Sequence, residues 1–342
     1  MSIKLSEVRW GIIGAGDVCE VKSGPAMNKI KHSKLVAVMR RNGDKAKDYA
    51  VRHNVPKWYD DADKLIHDPE VNAIYIATPP GSHEEYTLKA AKAGKPVYVE
   101  KPMARTHDEC LSMVEACQRA NVPLFTAYYR RSLPNFLTIQ SMLQDGVIGE
   151  IRYVNILLNK TLQPDIVWAS GHNDNWRIVP EISGGGYFFD LASHQLDMMD
   201  FLFGPVQEAY GIARNQAHLY TAEDIVLGTF NFGNGVVGHG TWCFTTSKIS
   251  DKEVTTIVGS KGQISFPFFS DHSVTLEVEG KEKVVMKFDI PVNIQQPLIQ
   301  TIVDELTGNG QCPSTGVSGA RTNRVMEILS QKSSSSLKKI LN

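Results

Sequence analysis

Short apolar runs alternate with stretches of helical spacing through the first third of the chain. The runs Val8 to Ile13, Leu35 to Met39, Ala73 to Ile76, Val97 to Glu100 and Leu124 to Ala127 have the length and near-continuous apolarity of strands covered on both faces. Between them, His83 to Ala93 and Thr106 to Ala120 repeat apolar residues every three or four positions. Gly94 stops the first of these helices, and a capping-box pair, Thr106 and Glu109, opens the second. Strand and helix in alternation predict an α/β Rossmann domain with a mostly parallel sheet over residues 1–127.

The pattern changes after Tyr128. A helix is expected at Leu133 to Gln144, a strand at Ile151 to Leu158, then a loop bearing Trp and Gly, and a helix at Phe189 to Phe203. From Val206 to Val278 the chain reads as successive strands, with turn signals at Phe232-Gly233-Asn234-Gly235 and Gly259-Ser260-Lys261-Gly262. Two helices, near Gln295 to Leu306 and Val317 to Gln331, precede a polar tail from Ser333 to Ser336. Residues 128–342 therefore read as an α+β domain with a large open, mostly antiparallel sheet. Helices cover one of its faces, and the uncovered face predicts a homodimer or higher homo-oligomer joined through this sheet.

Composition narrows the function classes. At 342 residues the chain exceeds a single core, so two domains are expected. With 36 Lys and Arg against 37 Asp and Glu, no net field favours nucleic acid. Met1 to Glu7 lacks the apolar run of a secretory signal, and no segment reaches 18 uninterrupted apolar residues, so neither export nor a membrane span is expected. Five widely spaced cysteines, an odd number, fit a reducing, cytoplasmic setting better than a disulfide framework.

Three motifs carry candidate chemistry. The first apolar run enters Gly14-Ala15-Gly16-Asp17-Val18-Cys19, two glycines of a Gly-x-Gly-x-x-Gly loop in strand-to-helix context. Gly14 permits the tight turn. Gly16, with Asp17 and Val18 at the following helix start, lets a pyrophosphate approach the backbone. Cys19 takes the third position as a small side chain. The second strand ends in Arg40 and Arg41, where an NAD-selective fold places a carboxylate for the ribose 2′-hydroxyl. A guanidinium pairs with a 2′-phosphate instead, so NADP is favoured, with NAD as the alternative.

Thr78-Pro79-Pro80-Gly81-Ser82-His83 and Glu100-Lys101-Pro102 each follow a strand, at the edge where such sheets bind ligands. Thr78, Pro79, His83, Glu100 and Lys101 are candidate cofactor contacts. Lys101 is the candidate stabiliser of an alkoxide that develops during hydride transfer, with Glu100 orienting or neutralising it. Further on, Asp190 and His194 share a helix face by their spacing, with Asp197 along the same face, and Gly184 to Gly186 ahead of them allow backbone to approach a ligand. His194 suits proton transfer near neutral pH and Asp190 suits orienting it. Two carboxylates and an imidazole invite a metal reading, but the cysteines add no compact ligand set and a lysine is a poor neighbour for a cation, so no metal is expected.

In these residues the chain resembles the Gfo/Idh/MocA oxidoreductases. The Gly14-Ala15-Gly16 loop, Thr78-Pro79-Pro80 turn, Glu100-Lys101-Pro102 signature and Asp190-x-x-x-His194 helix appear in the family's order, over nearly the whole chain. The resemblance implies a catalytic Lys101, Asp190 and His194 at the substrate, and His194 as proton carrier. It also implies NAD- or NADP-dependent oxidation or reduction of sugars, polyols and related ring hydroxyls, and a second domain whose open face often makes a dimer. Tyr128-Tyr129-Arg130-Arg131 departs from the Asn-x-Arg-like segment of many members, leaving Arg130 as the candidate substrate residue there. Trp168, His172, Trp176 and Arg177 are candidates to line a sugar pocket. The leading expectation is an NADP-dependent sugar or cyclic-polyol oxidoreductase. The alternatives are an NAD(P)-dependent dihydrodiol dehydrogenase and a catalytically silent dinucleotide-binding sensor.

Overall fold

The computed structural model describes residues 4–161 and 175–331. Six strands, β1 (Val8–Ile13), β2 (Ser33–Met39), β3 (Lys57–Tyr59), β4 (Ala73–Ile76), β5 (Val97–Val99) and β6 (Leu124–Thr126), form one wholly parallel sheet in the order β3-β2-β1-β4-β5-β6. This is the order of a two-half dinucleotide-binding sheet. β1, β4, β5 and β6 are almost entirely buried, as their unbroken apolar runs require. The apolar core fills with Ile13, Leu65, Ile74, Ile76, Val97, Val99 and Met113. Thr106 caps the helix His107–Arg119 through its hydroxyl, which accepts from Glu109 N at 3.1 Å. Glu109 returns its carboxylate to Arg105 N at 3.0 Å, one residue before the expected partner.

Eight strands form the second sheet: β7 (Ile151–Asn159), β8 (Val206–Arg214), β9 (Ile225–Phe232), β10 (Val237–Cys243), β11 (Lys252–Gly259), β12 (Gly262–Phe266), β13 (Ser273–Val278) and β14 (Val284–Lys287). Their order is β14-β13-β12-β11-β7-β10-β9-β8, and only the β7 and β10 pair is parallel. Alternation along β8, β9 and β10 buries one face and exposes the other. On the buried face Gly211, Gly228 and Gly240 stand opposite one another across β8, β9 and β10. Gly211 and Gly228 admit the end of the helix Gly316–Leu329, a Cβ on Gly211 overlapping the Leu329 carbonyl, while Gly240 makes room for the Trp242 indole. On the open face Tyr153, Tyr210, Ile212, Leu227 and Val237 remain exposed.

Contacts divide the chain into two compact units, residues 1–132 with 291–320 and residues 133–290 with 321–342. The expected boundary at 127/128 does not include this return of the chain. Residues 291–320 count with the first unit because the helix Gln296–Thr307 packs near β1 and because Thr315 bridges Phe125 beside β6. Other departures are local. β3, three residues, and β14, four mostly exposed residues, are short strands that were not among those expected. The expected helix at Phe189 to Phe203 is a π-helical turn, Phe188–Ala192, continued by an α-helix, Ser193–Phe203. Among the described residues no helix is long and apolar enough to cross a membrane.

Replacing Gly211 by Ala is expected to lower stability by about 1–3 kcal/mol, since the added methyl meets backbone and not a movable side chain. A urea melt checks this, and an unchanged midpoint would show that the helix end yields freely.

Candidate active site

In the first unit the glycine turn, the end of β2 and the turn after β4 lie together on the carboxyl edge of the sheet. Gly14 has φ +86, the left-handed region that favours glycine. A Cβ there would stand 2.6 Å from Thr78 Cγ2. Gly14 N and Ala15 N donate to Met39 O at 2.9 and 3.2 Å, which ties the turn to the residue before Arg40. A Cβ on Gly16 would meet nothing closer than Gly14 O at 3.8 Å, so this position leaves the close approach that a pyrophosphate needs. Asp17 is exposed and Val18 half-buried at the start of the short helix Asp17–Val21. Arg40 is half-buried, Arg41 exposed. These residues fit a dinucleotide.

Cys19, in the third glycine position, is fully buried, and burial above all pushes its thiol up to about 12. It therefore packs as a neutral side chain, with Tyr49 donating its hydroxyl to the Cys19 carbonyl at 2.8 Å.

The turns around Thr78 and Lys101 are braced from beneath. Thr78 and Pro79 are half-buried, and Ser82 donates to Thr78 Oγ1 at 2.8 Å. His83 has no exposed surface: its Nε2 lies 2.7 Å from Thr78 O and its Nδ1 3.1 Å from Met103 O. Burial holds its pKa below the ordinary histidine value. His83 thus joins the two turns.

Glu100 is also buried. Its Oε1 accepts from Tyr75 Oη at 2.6 Å and Gln295 Nε2 at 2.7 Å, and its Oε2 from the Lys101 backbone N at 3.1 Å. Lys101 itself is half-buried directly after β5. Gln295 carried no motif. The one signal for it was a tyrosine in the middle of each of two buried strands, Tyr75 and Tyr98, whose hydroxyls must find partners. Tyr98 donates to Gln295 Oε1 at 2.8 Å. Arg130 is buried, stacked on Tyr129 at 4.9 Å and donating to its hydroxyl at 3.0 Å. Arg131 donates to Pro313 O at 2.9 Å.

In the second unit Asp190 lies in the π-helical turn and His194 in the first turn of the helix that follows. A π-helical turn is frequent at functional sites. Asp190 Oδ2 stands 3.4 Å from Arg177 Nε, and the Arg177 guanidinium stacks on Trp176 at 4.5 Å. Sequence reasoning had Arg177 only as a pocket lining and missed this ion pair. His194 is buried with its ring edge-on to Phe269 at 6.0 Å. Asp197 is turned inward, accepting from Thr322 Oγ1 at 3.5 Å, and Asp200 holds Arg321 through two contacts of 2.7 and 2.8 Å. Gly186, at φ +62, meets Ala222 where a Cβ would be, so its freedom serves packing. Trp168 and His172 lie outside the described residues.

A parallel sheet in the dinucleotide-binding order is thus followed by a large mixed sheet. The family model described as the oxidoreductase family with an NAD-binding Rossmann fold, GFO_IDH_MocA, matches residues 8–128, and the GFO/IDH/MocA C-terminal domain matches residues 136–265. The chain belongs to the Gfo/Idh/MocA family and is an oxidoreductase. It is 41% identical to oxidoreductase P35 of Formosa agariphila, over 94% of this chain and 98% of that protein. It is 27% identical to 1,5-anhydro-D-fructose reductase of Ensifer adhaerens, covering 91% and 92% of the two. Levoglucosan dehydrogenase, in complex with NADH and levoglucosan, shares the fold with a TM-score of 0.85 at 19% identity, over 98% of this chain and 100% of that one.

Proposed function

We propose that this chain is an NADP-preferring oxidoreductase that moves hydride to or from a carbon of a sugar or cyclic polyol. The observation that carries the cofactor choice is the half-buried Arg40 at the end of β2, beside the Gly14 turn. A guanidinium there neutralises a 2′-phosphate, which a carboxylate would repel. Similarity to an anhydrofructose reductase over most of the chain supports the substrate class.

When bound, the nicotinamide supplies or accepts the hydride. The residues of the chain handle the oxygen and its proton. Lys101 donates a hydrogen bond to the reacting oxygen and stabilises its alkoxide character. In the oxidation direction His194 takes the hydroxyl proton as the carbon loses hydride and the carbonyl forms. In reduction it returns that proton. Asp190 orients His194, and Arg177 in turn holds Asp190. Cofactor contact falls to Gly14, Gly16, Asp17, Val18, Arg40, Arg41, Thr78 and Pro79. Trp176 offers its indole face to a sugar ring. The five cysteines, none of them in a disulfide, suit a cytoplasmic setting.

The partner on the open face of the second sheet is a second copy of this chain. Tyr210 and Val237 are 50% and 51% exposed there, among further apolar side chains too contiguous for a solvated face. Static light scattering is expected to give at least a dimer, weakened by Tyr210→Arg. A monomer at every concentration contradicts the assignment.

Arg40→Asp should weaken NADPH binding by about 10- to 100-fold, the worth of a charged hydrogen bond, while sparing NADH. Fluorescence titration of the reduced nicotinamide measures both. Equal NADPH affinity in the two proteins removes the 2′-phosphate assignment.

The substrate class is tested by nicotinamide absorbance with 1,5-anhydro-D-fructose, levoglucosan, free aldoses, inositols and an aromatic dihydrodiol, each with both cofactors. Turnover of the dihydrodiol alone would favour the less polar alternative, and no turnover of any would favour a silent sensor. With the substrate so found, Lys101→Met should lower kcat by roughly 100-fold or more and leave NADPH affinity nearly intact. Undiminished turnover excludes Lys101 from the chemistry.

A further inference from the structure

The segment that ends in Gln295 returns to the first unit and binds two places at once. Asn293 accepts from Lys29 Nζ at 2.7 Å and donates its side-chain amide to the Val21 carbonyl. Gln295 N donates to the Lys22 carbonyl at 3.2 Å. Both carbonyls close the helix that starts at the glycine turn. The Gln295 side chain points the other way, into the sheet. Its Oε1 accepts from Tyr98, and its Nε2 donates to Glu100 Oε1 at 2.7 Å.

The chemistry of these partners makes Gln295 specific. Glu100 is 8% exposed and Gln295 1% exposed, so the carboxylate relies on protein donors. Tyr75 and Gln295 meet one of its oxygens and leave the other aimed at the Lys101 backbone N–H. A carboxylate pinned on one oxygen fixes the direction of the second. That second oxygen holds the peptide from which the Lys101 side chain springs. The amide at 295 both accepts from Tyr98 and donates to Glu100, whereas methionine does neither and an ionised glutamate accepts but cannot donate.

We propose that Gln295 is a positioning residue for Lys101, acting through the Glu100 carboxylate. The functional weight of this inference rests on the assignment of Lys101 to the chemistry, but the coupling itself is measurable without a substrate.

The experiment is reductive methylation with formaldehyde and cyanoborohydride on the NADPH-bound protein, from pH 6 to pH 9. The rate at Lys101 is read by peptide mass spectrometry, with the exposed Lys47 as internal reference. In Gln295→Met the Lys101 rate should differ from the original at least threefold across the range, with Lys47 unchanged. In Gln295→Glu the rate should match the original at the acid end, where a protonated carboxyl donates to Glu100 as the amide does. It should diverge at least threefold at the alkaline end, where two carboxylates face each other. A packing role alone gives no such pH trend.

A Lys101 rate within twofold of the original in Gln295→Met, or a ratio for Gln295→Glu that stays constant with pH, overturns the proposal. Tyr98→Phe, which removes only the hydroxyl that holds Gln295, replaces Gln295→Met if that variant fails to bind NADPH, and carries the same threefold criterion. Because methylation reads the amine and not turnover, an active Lys101→Met would sink the catalytic reading while leaving this result standing.

Discussion

A carboxylate buried at the end of β5 has to be met by donors, and much of the first unit follows from that demand. An unmet charge of this kind costs several kcal/mol, more than any single apolar contact nearby contributes. Tyr75 from β4 supplies one donor, the Lys101 backbone another, and Gln295 the third. The third comes from 195 residues along the chain, so the first unit is incomplete until residues 291–320 have returned. Tyr98 stacks on Tyr75 at 4.7 Å and spends its hydroxyl on Gln295, so the aromatic and polar contacts reinforce one geometry.

The second unit obeys a different constraint. Its sheet has period-2 alternation, so one face can be dry only if helices reach it closely. Gly211 and Gly228 provide that closeness on β8 and β9, and Asp200 with Arg321 fastens the helix Ser193–Phe203 to the helix Gly316–Leu329 whose end lies against them. His194 sits in the first turn of that fastened helix, so its backbone is fixed by packing and not by a loop. The same alternation leaves Tyr210, Ile212 and Leu227 on the other face with no covering element from the described residues of their own unit.

The parallel sheet was legible because strands covered on both faces must be apolar throughout: β1 and β4 match their expected bounds, and the others lie within two residues. β3 was not legible, since three residues at a sheet edge need no apolar run. The π-helical turn was invisible for another reason. Phe188 to Ala192 has ordinary helix-forming content, and the widened turn is a tertiary accommodation. The return of residues 291–320 has no local signature, because its decisive contacts join Thr126 to Ser314 and Glu100 to Gln295 across most of the chain.

Motif spacing also cannot separate residues that meet a ligand from residues that hold those residues in place. Burial can. His83, Cys19 and Glu100 all stand in motifs, yet each is enclosed and spends its polar atoms on protein. Gly16, Arg40, Thr78 and Lys101 stand in the same motifs with surface remaining. A brace can be exchanged for another group that satisfies the same partners, whereas a contact is fixed by the chemistry of what it touches. Arg40 stands half-buried at the end of β2 and forms no ion pair with a carboxylate among the described residues.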